Sequence, residues 1–252
     1  MEPTRDSLTR GLSSDWRDRL REWPLPLPQF TLDAQRTALV VVDMQYGSVD
    51  PDAGVGPYLR RHHAAAAEYY YGRVRDAVIP NTKRLLDAFR QMGRPVIYLT
   101  IGFALPDRSD GLRLLRQIDD DLKKLMAEGP LVRRGSRANT VVEPLAPRDG
   151  ELVINKTSMG AFNSTSIDQT LRNLGITTLV VAGVSTECCV ATTARDAGDR
   201  GFHVLLVEDA CSAVTPYLQE SSLVTFAAMF GRVATTEQTL AELSATTRAP
   251  AR

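Results

Sequence analysis

Apolar and polar positions in this chain are grouped in blocks rather than alternating residue by residue. Five short runs are dominated by aliphatic side chains: Ala38–Val42, Pro95–Ile101, Glu151–Asn155, Thr177–Ala182 and His203–Val207. Runs of that length, apolar at successive positions, are buried on both faces and read as strands of a parallel sheet. Between them the period lengthens to that of helices. Ile167, Leu171 and Leu174 follow an i, i+4, i+7 spacing after Ser164 and Thr165, and Gly175 ends the run. The stretch from His62 to Gly93 reads as helix with a restart at Pro80, whose fixed φ suits a first turn, and Leu85, Phe89 and Met92 share one face. Arg113–Glu128, closed by Gly129-Pro130, and Tyr217–Phe230, stopped by Gly231, are two more helices. Thr235-x-x-Gln238 has the form of a capping box ahead of Leu240 and Leu243.

Strand and helix alternate from Ala38 onward, which predicts one α/β domain: a doubly wound, mainly parallel sheet flanked by helices. Its expected limits are 37–244. Residues 1–36 form an amino-terminal arm and 245–252 a frayed tail. Within the arm, Trp23-Pro-Leu-Pro-Leu-Pro-Gln-Phe30 is extended, because alternating prolines remove backbone donors and fix φ. Its apolar side chains should lie on a neighbouring subunit or on the back of its own domain.

Three of the strands lead directly into chemistry. The first ends in Asp43, the third in Lys156, and the fourth enters a turn that delivers Cys189 to a helix start. Ligands of open α/β sheets bind outside the carboxyl ends of the strands, so the three groups are candidates for one site. Each also has a commonplace reading: Asp43 as a loop cap, Lys156 as a solvated charge, Cys189 as a packed core residue. The helix that follows, Ala191 to Arg200, places its positive end near Cys189 and favours thiolate. A thiol with an unperturbed pKa of about 8.5 needs such help when buried. One ammonium about 4 Å away supplies on the order of 4 kcal/mol at an effective dielectric of 20, which only about cancels the burial. A carboxylate that accepts the thiol proton would complete the activation.

Three segments carry a further signal: Ala38-Leu-Val-Val-Val-Asp43-Met-Gln45, Lys156-Thr-Ser-Met-Gly-Ala-Phe162-Asn-Ser-Thr165, and Gly183-Val-Ser-Thr186-Glu-Cys-Cys189-Val190-Ala-Thr-Thr193-Ala-Arg-Asp196-Ala197. In this order they resemble the isochorismatase-like cysteine hydrolases, which include nicotinamidases, N-carbamoylsarcosine and ureidoacrylate amidohydrolases, and biuret and triuret hydrolases. The resemblance spans roughly Thr37 to Leu243. It implies a catalytic triad with Cys189 as nucleophile, Asp43 as general base and Lys156 holding Asp43 ionised. It further implies a cis peptide at Val184–Ser185, an oxyanion hole from the amides of Ser185 and Cys189, and a thioester intermediate.

Departures from the family narrow the chemistry. The Asp-x-His element with which nicotinamidases bind a metal is missing. The second strand runs instead into Gly102-Phe103-Ala-Leu-Pro-Asp107, and the only histidines are His62, His63 and His203. Neither metal nor other cofactor is expected. True isochorismatases do without the nucleophilic cysteine, so Cys189 favours cleavage of a C–N bond in a small polar amide, of ureido or N-carbamoyl type. Gln45, Tyr46, Phe103 and Phe162 are candidates to line the cleft, and Arg133, Arg134 and Arg137 could meet a carboxylate or carbonyl.

Composition removes other classes. Formal charge is zero and no basic or acidic run stands out, so neither nucleic acid nor a membrane surface is an expected partner. The first residues lack the apolar core of a secretory signal, and three cysteines, two adjacent, make a poor disulfide framework. A cytoplasmic homo-oligomer is the expectation, with Cys211 a packed residue. Two rivals stay open. A dinucleotide-binding oxidoreductase is poorly supported, since no Gly-x-Gly-x-x-Gly follows the first strand. A non-catalytic binding or thiol-sensing member of the same fold would keep the site without turnover.

Overall fold

The computed structural model describes residues 16–126 and 132–248. Its frame is a six-stranded sheet of β1 (Thr37–Val42), β2 (Val96–Ile101), β3 (Leu152–Lys156), β4 (Thr178–Val184), β5 (His203–Ser212) and β6 (Arg232–Ala234). The order is β3-β2-β1-β4-β5-β6, and every pair is parallel. The helices are α1 (Gly56–His62), α2 (Ala64–Arg73), α3 (Ile79–Gln91), α4 (Arg113–Lys123), α5 (Ile167–Asn173), α6 (Ala191–Asp199), α7 (Pro216–Met229) and α8 (Thr236–Arg248).

The aliphatic runs form this sheet because side chains of successive strand residues point to opposite faces, and both faces are covered. In β1, Leu39 and Val41 join a core with Leu85, Leu86 and Phe89 of α3 and Leu243 of α8. Ala38, Val40 and Val42 enter a second core with Ile167 and Leu171 of α5, Ala194 and Ala197 of α6, and Leu223 and Phe226 of α7. The chain adds β2 and β3 on one side of β1, then returns to place β4 on the other. The strand order therefore reverses between β1 and β4, where the carboxyl ends diverge into a crevice.

Several local expectations are corrected. His62–Gly93 is not one helix. The chain breaks at His63 (φ −141°, ψ 53°), then runs from α2 into α3 through a π turn at Val74–Val78, with Pro80 in the first turn of α3. The fourth helix stops at Lys123 rather than Glu128, and Gly129-Pro130 lies outside the described residues. Leu174 is 47% exposed, because α5 has ended and the chain is turning into Gly175. β5 continues to Ser212, past a register shift opposite Val181–Gly183. Three-residue β6 was too short to leave a periodic signal. The capping box is present: Thr235 N–H donates to Gln238 Oε1 at 3.0 Å, and Gln238 N–H to Thr235 Oγ1 at 3.2 Å. It opens a helix that runs through Ala245 to Arg248, so that part of the expected tail is ordered.

The described part of the arm lies on its own domain. A 3₁₀ turn at Trp16–Glu22 ties Arg17 to Glu208 at 2.8 Å, Phe30 stacks on His203 at 4.6 Å, and Arg232 holds the Phe30 carbonyl. Leu25 and Leu27 between these anchors stay exposed.

Gly183 sets the spacing of the two central strands at the reversal. Its φ is +120°, and an added Cβ would lie 2.1 Å from the Val42 carbonyl oxygen. A Gly183→Ala variant is expected to lose more than about 3 kcal/mol of stability, since it meets both a disfavoured φ and rigid backbone. The check is the urea midpoint; a midpoint equal to that of the parent protein would contradict this close approach.

Candidate active site

Asp43 follows the last residue of β1 and has φ +50°, a left-handed conformation that few non-glycine residues adopt. Its amide still donates to the Leu99 carbonyl of β2 at 2.9 Å, so the chain turns only after the ladder ends. Lys156 closes β3, opposite Ile101 of β2. The lysine side chain crosses β2, and its ammonium donates to Asp43 Oδ2 at 2.8 Å and to the Ser158 carbonyl at 3.3 Å. Both charged side chains are buried, at 0% and 3% exposure. Asp43 Oδ1 is buried as well, without a hydrogen-bond partner among the described residues.

Cys189 reaches the same place from β4. The Val184–Ser185 peptide is cis, and the chain then winds through a π turn at Thr186–Val190 into α6. The Ser185 carbonyl accepts from the amides of Cys188 at 3.1 Å and Val190 at 3.2 Å, which closes the wide turn around Cys189. Cys189 is 8% exposed, and its thiol interacts electrostatically with both Lys156 and Asp43. The structure thus brings Asp43, Lys156 and Cys189 together at the strand reversal.

The charges and burial around the cluster set the affinity of its thiol and ammonium for protons. The Cys188 thiol beside it, burial and the Asp43 carboxylate all push the Cys189 thiol well above its ordinary value, against a downward pull from Lys156. For Lys156, burial disfavours the ammonium, but Asp43 and Cys189 together outweigh it, and its pKa lies above that of a free lysine. Lys156 is thereby favoured as an ammonium, beside a thiol that holds its proton more tightly than a free cysteine does.

The loop after β3 is locked to α6. Ala161 N–H donates to Thr193 Oγ1 at 3.2 Å, and Asn163 Nδ2 to Asp196 Oδ2 at 3.1 Å. Gly160 fits because any Cβ there would lie 2.7 Å from both Asp196 Oδ2 and Thr192 Cγ2. Ser158 Oγ bonds the Gly160 carbonyl at 2.7 Å, which steadies the carbonyl-bearing residue that Lys156 also contacts.

The proposed lining residues fare differently. Gln45 is fully buried, and its amide is spent on β2: Nε2 donates to the Ile101 carbonyl at 3.0 Å and Oε1 accepts from the Ile101 N–H at 2.8 Å. It is a sheet-end brace. Phe162 belongs to the core beneath α6, near Phe202 at 6.1 Å with Arg200 over its ring. Phe103 stands just past β2, its backbone bonded to Val132 and Arg134 and its ring against Gly111. Tyr46 is half-buried under the Arg137 guanidinium at 5.0 Å. Arg133, Arg134 and Arg137 are exposed. Among the described residues no three His, Cys, Asp or Glu side chains cluster as metal ligands would.

Sequence reasoning missed the buried polar residues that surround the turn. Tyr70 of α2 donates to the Ser48 carbonyl at 3.1 Å. Thr186 bonds Gln219 of α7 at 2.7 Å. Only Gln219 left a trace, as a polar residue at i relative to Leu223 and Phe226 on the apolar face of its helix.

Comparison with known proteins agrees with this geometry. The isochorismatase domain family matches residues 37–238. The ureidoacrylate amidohydrolase RutB of Rhizobium rhizogenes is 30% identical over 227 residues, covering 85% of this chain and 86% of that protein. The uncharacterized isochorismatase family protein YecD of Escherichia coli O157:H7 is 32% identical over 83% of this chain and 97% of its own length. Among solved structures, a cysteine hydrolase from Pseudomonas syringae pv. phaseolicola superposes with a TM-score of 0.74 at 26% identity, over 88% of this chain and 99% of the other.

The protonation state has a direct readout. Alkylation of Cys189 by iodoacetamide, resolved from Cys188 by fragment mass spectrometry, should keep accelerating as pH rises past the ordinary thiol pKa. Asp43→Asn removes a negative charge that raises that pKa, so the midpoint should move down. A parent midpoint at or below the ordinary thiol value, or an upward shift in the variant, would reverse the assignment.

Proposed function

The chain belongs to the isochorismatase family, and we propose that it is a cysteine amidohydrolase. It cleaves the C–N bond of a small polar amide, of ureido or N-carbamoyl type, and releases ammonia or an amine. The observation that carries this reading is the division of labour at Asp43, with one oxygen on Lys156 and the other buried without a partner, in a carboxylate that interacts with the Cys189 thiol.

In this mechanism Oδ1 of Asp43 takes the thiol proton as the sulfur attacks the substrate carbonyl carbon. The carbonyl π pair moves onto oxygen, where the amides of Ser185 and Cys189 receive it as an oxyanion hole. Lys156 compensates the negative charge while it passes between sulfur, Asp43 and oxygen. Collapse of the tetrahedral adduct breaks the C–N bond, and Asp43 returns the proton to the leaving nitrogen. A thioester remains. Asp43 then deprotonates a water that attacks the thioester, and the sulfur leaves with the proton restored, which regenerates the resting thiol. All charge movement is met by fixed protein groups, and no metal or organic cofactor is called upon.

The amide class is supported by the nucleophilic sulfur and by the likeness to a protein named ureidoacrylate amidohydrolase. No helix among the described residues is long and apolar enough to cross a membrane. Three free cysteines support a cytoplasmic setting, and apolar side chains left exposed on α4, Leu114 and Ile118, support assembly into a homo-oligomer.

Ammonia release from a panel of ureido, N-carbamoyl and simple carboxamide compounds is the test. Turnover is expected on the ureido or N-carbamoyl members. Cys189→Ala should abolish it, Asp43→Asn should lower kcat by about 10²–10⁴, and Cys188→Ala should retain it. Activity that survives Cys189→Ala, or hydrolysis confined to aryl amides, would overturn the proposal. Labelling of Cys189 without turnover on any member would favour the thiol-sensing alternative.

A further inference from the structure

The π turn that carries Cys189 is held from below by side chains that the mechanism does not use. Gln219, 6% exposed on α7, accepts two hydrogen bonds at Oε1: from the Thr186 hydroxyl at 2.7 Å and from the Ala213 amide at 2.8 Å. Its Nε2 donates to the Glu208 carbonyl at 3.4 Å. Thr186, the first residue of the turn, is fully buried and stands between Ser185 and Cys189, the two residues whose amides would face an oxyanion. The next residue repeats the pattern, since Glu187 Oε1 accepts from the Val214 amide at 3.1 Å. Residues 186 and 187 are thus stapled one-to-one to 213 and 214, just beyond β5.

A glutamine at a core-facing position of a helix is costly unless its amide is fully used. Leu223 and Phe226 continue the same face as ordinary core residues. An apolar side chain at 219 would suit the helix but leave the Thr186 hydroxyl and the Ala213 N–H without their acceptor. We infer that Gln219 is a positioning residue: through Thr186 it fixes the backbone of the nucleophile turn, and with it the amides of Ser185 and Cys189, relative to the Cys189 sulfur. This role rests on the amidohydrolase reading above. It acts on carbonyl chemistry and not on the sulfur itself, because an oxyanion hole is sensitive to displacement of its donors, whereas a thiol needs only its proton acceptor.

The experiment compares two reactions of the same cysteine. Gln219→Met keeps length and apolar packing but removes both acceptor contacts. Its kcat on the best amide substrate is expected to fall about tenfold to a hundredfold, with KM changed less than about threefold. Alkylation of Cys189 by iodoacetamide, which displaces iodide at carbon and builds no oxyanion, is expected to stay within about threefold. Thr186→Val should reproduce the effect, Thr186→Ser should restore most of the activity, and the Gln219→Met/Thr186→Val double variant should be little worse than either single one. If Gln219→Met fails to fold, the near-isosteric Thr186→Val and its serine rescue answer the same question. Hydrolysis unchanged in the folded variants, or hydrolysis and alkylation falling in parallel, would overturn the inference. A parent protein with no turnover on the panel defeats the amidohydrolase reading first, visibly before any variant is made, and the positioning role falls with it.

Discussion

The buried ion pair between Lys156 and Asp43 is the constraint around which the site is organised. β3 and β1 are not neighbours; β2 lies between them, so their backbones stand about 10 Å apart at the usual strand spacing. Only a long side chain spans that gap, and lysine does so with its charge intact because the carboxylate waits at the far side. Neither charge touches water. Such a pair adds little net stability, but loss of one partner strands the other in the core at a cost of about 3–5 kcal/mol. The arrangement therefore persists as a unit.

What the pair leaves over is functional. Oδ2 is taken by lysine and Oδ1 is not taken by anything described. A buried, unpartnered carboxylate oxygen is normally a defect. In the proposed mechanism this oxygen is the one that takes the Cys189 proton when a substrate carbonyl arrives. The Cys188 thiol and burial that raise the Cys189 pKa would also make its sulfur, once deprotonated, a stronger nucleophile, since a higher pKa accompanies greater nucleophilicity.

The topology explains why these groups can meet without distorting the core. β1 and β4 are adjacent at the reversal, and Gly183 lets β4 run against the Val42 carbonyl immediately before Asp43. The cysteine is then set by layers of contact beneath and beside it: α6 locked to the β3 loop through Thr193 and Asp196, and the π turn tied to the end of β5 through Gln219 and Glu187. The flexible freedom of a loop-borne nucleophile is removed by elements from three parts of the sheet.

The sequence by itself determined five of the six strands, most helices and the three residues, Asp43, Lys156 and Cys189, that meet at the strand reversal. Burial on two faces writes itself into continuous aliphatic runs, and short motifs end those runs at Asp43, Lys156 and Cys189. It offered Gln45 and Phe162 as lining residues, and these sit beside the motifs in sequence but turn to the sheet end and the core. Only the tertiary structure decided those points, together with the clamp at Gln219. Proximity along the chain does not say which way a side chain faces, and a pKa depends on charges that approach from distant strands, here Asp43 raising that of Lys156 across a separation of 113 residues. Local pattern records what a residue must be buried against; the proton's location is set by what arrives from elsewhere.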